Sequence, residues 1–292
     1  MMSCDASVHM RQNSKTALLL FGACAIITVV LKKTAENAFF SDSSQRSIGG
    51  DGRDDYIKEK RQFAECKQVY LDVGSNIGVQ VRKLFEPRLY PGAPVLALFD
   101  AYFGADRSGR VCAIGIEMNP VHTARLKRLE DHYRTVCGYT VRFLTETAAS
   151  SQDLNNLTFW TDRTDAENHE WGASLMPRTE LTESHAVRTL DLARFILEEI
   201  RPFASTVVMK LDIEGAEFDV IPHLLLRGAF CDLDLVFAEV HPWVKQANAQ
   251  QRAFLDASIT LINSGQIRGC KVRVSMLDDE TYRHDAVDAA SC

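Results

Sequence analysis

Apolar residues recur along this chain in two rhythms. Short β-branched runs, several of them apolar on consecutive positions, occupy residues 69–73, 111–116, 140–144, 207–213, 233–240 and 271–276. Consecutive apolar positions suit strands buried on both faces. Between them, residues 76–85, 121–134, 190–200, 214–226 and 250–262 carry helical patterns. Strand and helix in alternation predict an α/β fold with a doubly wound, mostly parallel sheet. Two stretches interrupt the rhythm. Residues 87–109, PRLYPGAPVLALFDAYFGADRSG, read as an irregular insertion containing Pro and Gly, and residues 157–160 and 186–190 read as short extra strands within a second insertion.

The ends of the chain differ from its middle. Residues 16–31, TALLLFGACAIITVVL, contain no charge and lie between Arg11 and Lys15 on one side and Lys32 and Lys33 on the other. As a helix at 1.5 Å per residue this run spans about 24 Å, short of the roughly 30 Å hydrocarbon core but suited to the thinner membranes of the early secretory pathway. It reads as a signal-anchor in preference to a signal peptide cleaved near Gly22, Ala23 or Ala25, and to a buried helix. Arg11 and Lys15 favour a cytoplasmic N-terminus, which makes the protein single-pass with its domain lumenal or extracytoplasmic. In that topology Asn156-Leu157-Thr158 is the single N-x-[ST] acceptor. The expected organisation is a tail and anchor over 1–33, a flexible Ser-, Asp- and Gly-rich linker over 34–55, one domain over 56–277 and a polar tail over 278–292.

Composition narrows the function classes. Hydrophobic residues at 46% and charged residues at 25% exclude disorder of the chain as a whole. With 33 Lys+Arg against 39 Asp+Glu the net charge is -6, which excludes a reader of nucleic-acid backbones. Eight cysteines without a CxxC pair rule out that zinc or redox signature and leave individual disulfides open.

Ligands of doubly wound sheets bind at the carboxyl ends of the strands, so those ends are where the chemistry is expected. The first strand runs into Asp72-Val73-Gly74-Ser75-Asn76-Ile77-Gly78, a DxGxxxG turn. Gly74 lets the backbone turn tightly beside a ligand and Gly78 permits close helix packing. The carboxylate of Asp72 is unsuited to a pyrophosphate and suited to a cationic amino group. The second strand ends in Glu117, a partner for two ribose hydroxyls, although it lies 43 positions beyond Gly74 rather than the usual twenty or so.

The fourth and fifth strands end in Lys210-Leu211-Asp212-Ile213-Glu214-Gly215-Ala216-Glu217 and in Glu239-Val240-His241-Pro242. Carboxylates and a lysine closing an apolar strand are costly unless paired or used. One reading makes Lys210, Asp212 and Glu217 an ion-pair network shaping the turn. The other makes His241 a base, with Asp212, Glu214 and Glu239 orienting it or holding a divalent metal.

In these segments, taken in order as LDVGSNIG, IGIEMNP, LTFWTD, WGASL, VRTLDL, MKLDIEGAE and FAEVHP, residues 69–242 resemble the FkbM-type S-adenosylmethionine-dependent methyltransferases. The resemblance implies a class I methyltransferase sheet of Rossmann-like type. It implies S-adenosylmethionine as cofactor, with Asp72, Gly74, Asn76 and Gly78 on its methionyl side, Glu117 on its ribose and the stretch from Glu146 to Ala148 on its adenine. It implies O-methylation of a small-molecule or glycan hydroxyl; the residues' own chemistry makes His241, Asp212, Glu239 and Lys210 the candidate catalytic group for that step. Two alternatives stay beside it: a nicotinamide-dependent oxidoreductase, and a membrane-tethered glycan-binding protein without activity.

Overall fold

Val69, Leu71 and Val73 face one side of the first strand and Tyr70 the other, and both sides are covered. The computed structural model describes residues 63–161, 173–174, 183–239, 241, 249–277, 279, 281 and 292. Its elements are β1 (Gln68–Val73), α1 (Val79–Phe85), α2 (Val95–Phe103), β2 (Val111–Glu117), α3 (Thr123–Thr135), β3 (Val141–Thr145), β4 (Thr147–Ser150), β5 (Leu157–Thr161) and β6 (Glu183–Asp191). There follow α4 (Leu192–Phe195), running into a π-helical turn at Ile196–Ile200, then β7 (Thr206–Leu211), α5 (Glu217–Leu226), β8 (Leu235–Ala238), α6 (Ala249–Asn263) and β9 (Arg273–Met276).

Six strands form one sheet in the order β3-β2-β1-β7-β8-β9, and every pairing is parallel. Chain order reverses between β1 and β7, so the switch point lies where Asp72 stands opposite Lys210. One face packs Leu71, Ile114 and Met209 against Phe195, Ile221 and Leu255 of α4, α5 and α6. The other packs Tyr70, Ala113 and Val208 against Leu84, Phe99 and Leu129 of α1, α2 and α3. Cover on both faces is what the consecutive apolar positions required. A second sheet, β4-β6-β5, pairs β4 parallel and β5 antiparallel to β6, and a bridge from Trp160 to Ser174 extends it.

Several sequence readings change. The 87–109 stretch is not irregular throughout: Val95, Phe99 and Phe103, spaced by one helical turn, form the buried stripe of α2. A helix of nine residues between Pro and Gly signals hides such a stripe. β4 was not anticipated, and β7 and β8 stop at Leu211 and Ala238, short of the apolar runs that contain them. Among the described residues no helix is long and apolar enough to cross a membrane, and the apolar run 16–31 and the linker 34–55 lie outside them. Within the polar C-terminal stretch, Asp279 is buried and bonded to Lys83. The cysteines of the described residues form three disulfides: Cys66–Cys112, Cys137–Cys292 and Cys231–Cys270.

Candidate active site

The turn after β1 is built against both neighbouring strands. Gly74 and Ser75 donate their N–H groups to the carbonyl of Ile116, and Asp212 donates its own to the carbonyl of Val73, all at 3.0 Å. Gly74 has φ +85°, and a Cβ there would lie 1.7 Å from the carbonyl oxygen of Asp212, so only glycine fits this approach. Gly78 lies against Leu129 of α3, where a Cβ would come within 2.8 Å.

Glu117 ends β2 almost wholly buried. Its Oε2 accepts the N–H of Asn76 at 2.6 Å and its Oε1 that of Asn119 at 2.7 Å, so the carboxylate joins the loops after β1 and β2. Burial pushes its pKa up to about 7 against these two hydrogen bonds. Asp72, on the next strand, is fully buried, and neither carboxylate oxygen has a hydrogen-bond partner among the described residues. Burial raises its pKa to about 6, opposed chiefly by the charge of Lys210. Lys210 donates to the carbonyl of Gly74 at 2.9 Å and to Asp212 Oδ2 at 2.8 Å. Asp72, Glu117, Lys210 and Asp212 thus share one electrostatic environment across the switch point.

The loop after β3 carries Glu146 at φ 53°, bonded by Thr123 Oγ1 at 3.2 Å. Ala148 is buried with Phe159, Ala173 and Val187, and Met118, next to Glu117, packs against them. The small sheet therefore meets the β2 loop at Ala148. The non-glycine residues with positive φ among the described residues are Asn76, Glu146 and Glu214, each in a loop that follows a strand of the main sheet. Residues held in this region concentrate at ligand sites, because the surrounding structure must compensate their strain.

Beyond β7, Glu217 accepts the N–H groups of Ile213 at 2.8 Å and Gly215 at 2.7 Å, which closes the KLDIEG turn. His241 is buried beside it. Its Nδ1 lies 3.2 Å from Glu217, and its Nε2 lies 3.2 Å from Glu239, 3.6 Å from Glu214 and 3.8 Å from Asp212. Burial pushes the imidazole pKa down, but the bonds to Glu217 and Glu239 and the surrounding carboxylate charge outweigh it and raise the pKa to about 11. An imidazolium has no lone pair to take a proton, so base action by His241 requires an ion or substrate to draw carboxylates away from Nε2. Ligating atoms of Asp212, Glu239 and His241 lie within 4.8 Å of one another, close enough to converge on one ion.

The fold thus assembles two groups of the expected residues. Asp72, Gly74, Asn76, Gly78 and Glu117 surround the turns after β1 and β2, and Lys210, Asp212, Glu214, Glu239 and His241 surround those after β7 and β8. Ser174 was not expected to matter. Its hydroxyl donates to the carbonyl of Glu214 at 2.5 Å and ties the insertion to the KLDIEG turn. WGASL was visible as a segment, but nothing periodic marks that contact.

An all-parallel doubly wound sheet, with Asp72 at the switch point and the buried Glu117 closing the neighbouring β2, defines a Rossmann-like α/β protein, a class whose ligands bind at the strand ends. A family model, the methyltransferase FkbM domain, matches residues 72–264, and the chain belongs to that family. Comparison with curated proteins and with solved structures found no match.

Proposed function

We propose that the protein is an S-adenosylmethionine-dependent O-methyltransferase acting on a hydroxyl of a sugar, glycan or other small acceptor. The observation that carries this reading is the pair of buried carboxylates at adjacent strand ends. Glu117 is fixed by the N–H groups of Asn76 and Asn119, and neither carboxylate oxygen of Asp72 has a hydrogen-bond partner among the described residues. The remaining lone pairs of Glu117 suit a ribose diol, and Asp72 suits an ammonium group, whose charge would offset the burial that raises its pKa. Gly74 keeps the intervening backbone free of a Cβ.

S-Adenosylmethionine, when bound, supplies a methyl group on a sulfonium. The chain's own work is then to align the acceptor, exclude water and take up the hydroxyl proton. The His241 cluster supports that last role in either of two forms. A carboxylate such as Glu239, nearest to Nε2 and a third exposed, takes the proton directly. Alternatively, Asp212, Glu239 and His241 hold a divalent metal that acidifies the hydroxyl.

Titration of the purified protein with S-adenosylhomocysteine, followed by incubation with labelled S-adenosylmethionine and a panel of glycans and small alcohols, tests the reading. Glu117→Ala is expected to weaken cofactor binding by about 1.5–3 kcal/mol, the range for hydrogen bonds to a charged group. Binding of reduced nicotinamide in its place would instead favour the oxidoreductase. Glu239→Gln is expected to leave cofactor affinity unchanged and to lower turnover about 10²- to 10⁴-fold. Chelation abolishes activity if an ion is used and leaves it intact if Glu239 acts alone.

A further inference from the structure

We propose that Asn156 is an acceptor for an N-linked oligosaccharide and that the domain accordingly resides on the lumenal side of secretory membranes. The sequon Asn156-Leu157-Thr158 has a hydroxyl two positions on and no intervening proline. The fold presents it outward. Residues 152–156 are all exposed, Thr158 is exposed, and β5 is an outer strand of its sheet. The turn that carries Asn156 is also fixed. Leu154 exchanges hydrogen bonds with Thr189 of β6, donating to its Oγ1 at 2.8 Å and accepting its N–H at 2.8 Å. Asp153 accepts from the N–H of Asp191 at 2.9 Å and from Arg194 Nε at 2.7 Å. An oligosaccharide on Asn156 therefore projects into solvent without disturbing the packing of either sheet.

A second observation, independent of the sequon, points to the same compartment. The disulfides Cys66–Cys112, Cys137–Cys292 and Cys231–Cys270 account for every cysteine of the described residues. Such bonds form and persist where the surroundings are oxidising, and in the secretory pathway that is where asparagine is glycosylated. The apolar run 16–31, with Arg11 and Lys15 ahead of it and Lys32 and Lys33 behind it, is compatible with this topology as a signal-anchor. In the modification, the side-chain amide nitrogen of Asn156 loses a proton and bonds to C1 of the reducing-end sugar. The C1–O bond to a lipid-linked diphosphate breaks, and the diphosphate leaves with the electron pair.

The test is expression of the full chain in cells with a secretory pathway, and it does not depend on methyl transfer. The expected result is one mobility step that peptide-N-glycosidase removes, with residue 156 recovered as aspartate. Asn156→Gln and Thr158→Ala should both lose the step, and Thr158→Ser should keep it. The two Thr158 variants leave the asparagine in place and change an exposed side chain, so they separate loss of the site from loss of the fold. A folded wild-type chain with unmodified Asn156, in cells that glycosylate a control sequon, overturns the assignment. So does alkylation of the six cysteines in the native protein without reductant, because the compartment argument then fails.

Discussion

At the scale of single residues, Asp72 and Glu117 bear most of the weight, because both are carboxylates that burial makes reluctant to ionise. Their pKa values, raised to about 6 and about 7, lie above those of exposed carboxylates. Raised values mean that the folded state holds these protons more tightly than the unfolded one. Their contribution favours the fold fully below about pH 4 and is lost as pH rises through 6 and 7. A ligand bearing an ammonium group and a diol offers partners to the ionised forms and offsets that loss. The thermal stabilisation given by S-adenosylhomocysteine should therefore grow between pH 6 and pH 8, and Glu117→Gln should flatten the rise. Melting curves with and without the ligand across that range check this, and a shift independent of pH would count against both assignments. Both carboxylates were legible in the sequence, since a charge closing an apolar strand stands out. The hydrogen bond from Asn76 to Glu117 was not, because it spans 41 positions and only the parallel pairing of β1 with β2 closes it.

Among the elements, α1 is unusual in having all seven of its residues buried, Arg82 and Lys83 included. Lys83 Nζ donates to Asp279 Oδ1 at 2.8 Å and to its carbonyl at 3.1 Å, while Asp279 Oδ2 accepts the N–H of Val95 at the start of α2 at 3.2 Å. One carboxylate thus joins two helices on the face that backs the site. Burial pushes Asp279 up, but Lys83 outweighs it and holds the carboxyl below its ordinary range; burial likewise lowers the pKa of Lys83. Asp279→Ala leaves Lys83 charged and buried, and should cost about 3–5 kcal/mol in urea unfolding. Pairing Asp279→Leu with Lys83→Met should recover much of that loss, because no isolated charge remains. A loss confined to a few tenths of a kcal/mol in the single variant would show the pair to be dispensable. Sequence patterning placed α1 but read Asp279 as part of a polar tail, since one aspartate within the acidic run Asp278-Asp279-Glu280 carries no sign of its partner.

For the molecule as a whole, the disulfides set a boundary condition on folding. Cys66–Cys112 joins residues 46 positions apart and anchors the segment ahead of β1 to the strand that ends in Glu117. Replacing both cysteines by serine should lower stability by about 2–4 kcal/mol, and a reductant should lower the melting temperature of the wild type but leave the melt of this variant less affected. Calorimetry with and without reductant makes the comparison, and a wild type indifferent to reductant would refute it. The sequence by itself determined the alternation of strands and helices, since cover on both faces demands consecutive apolar positions and leaves a local trace. It also determined the glycine turn and the acidic strand ends, whose chemistry lies within a few residues. Only the tertiary structure decided that β1 lies beside β7, which cysteines pair, that Ser174 reaches Glu214, and that four carboxylates surround His241. Those contacts join residues from different elements, most of them far apart in the chain, and their energy depends on the sheet order that brings the elements together.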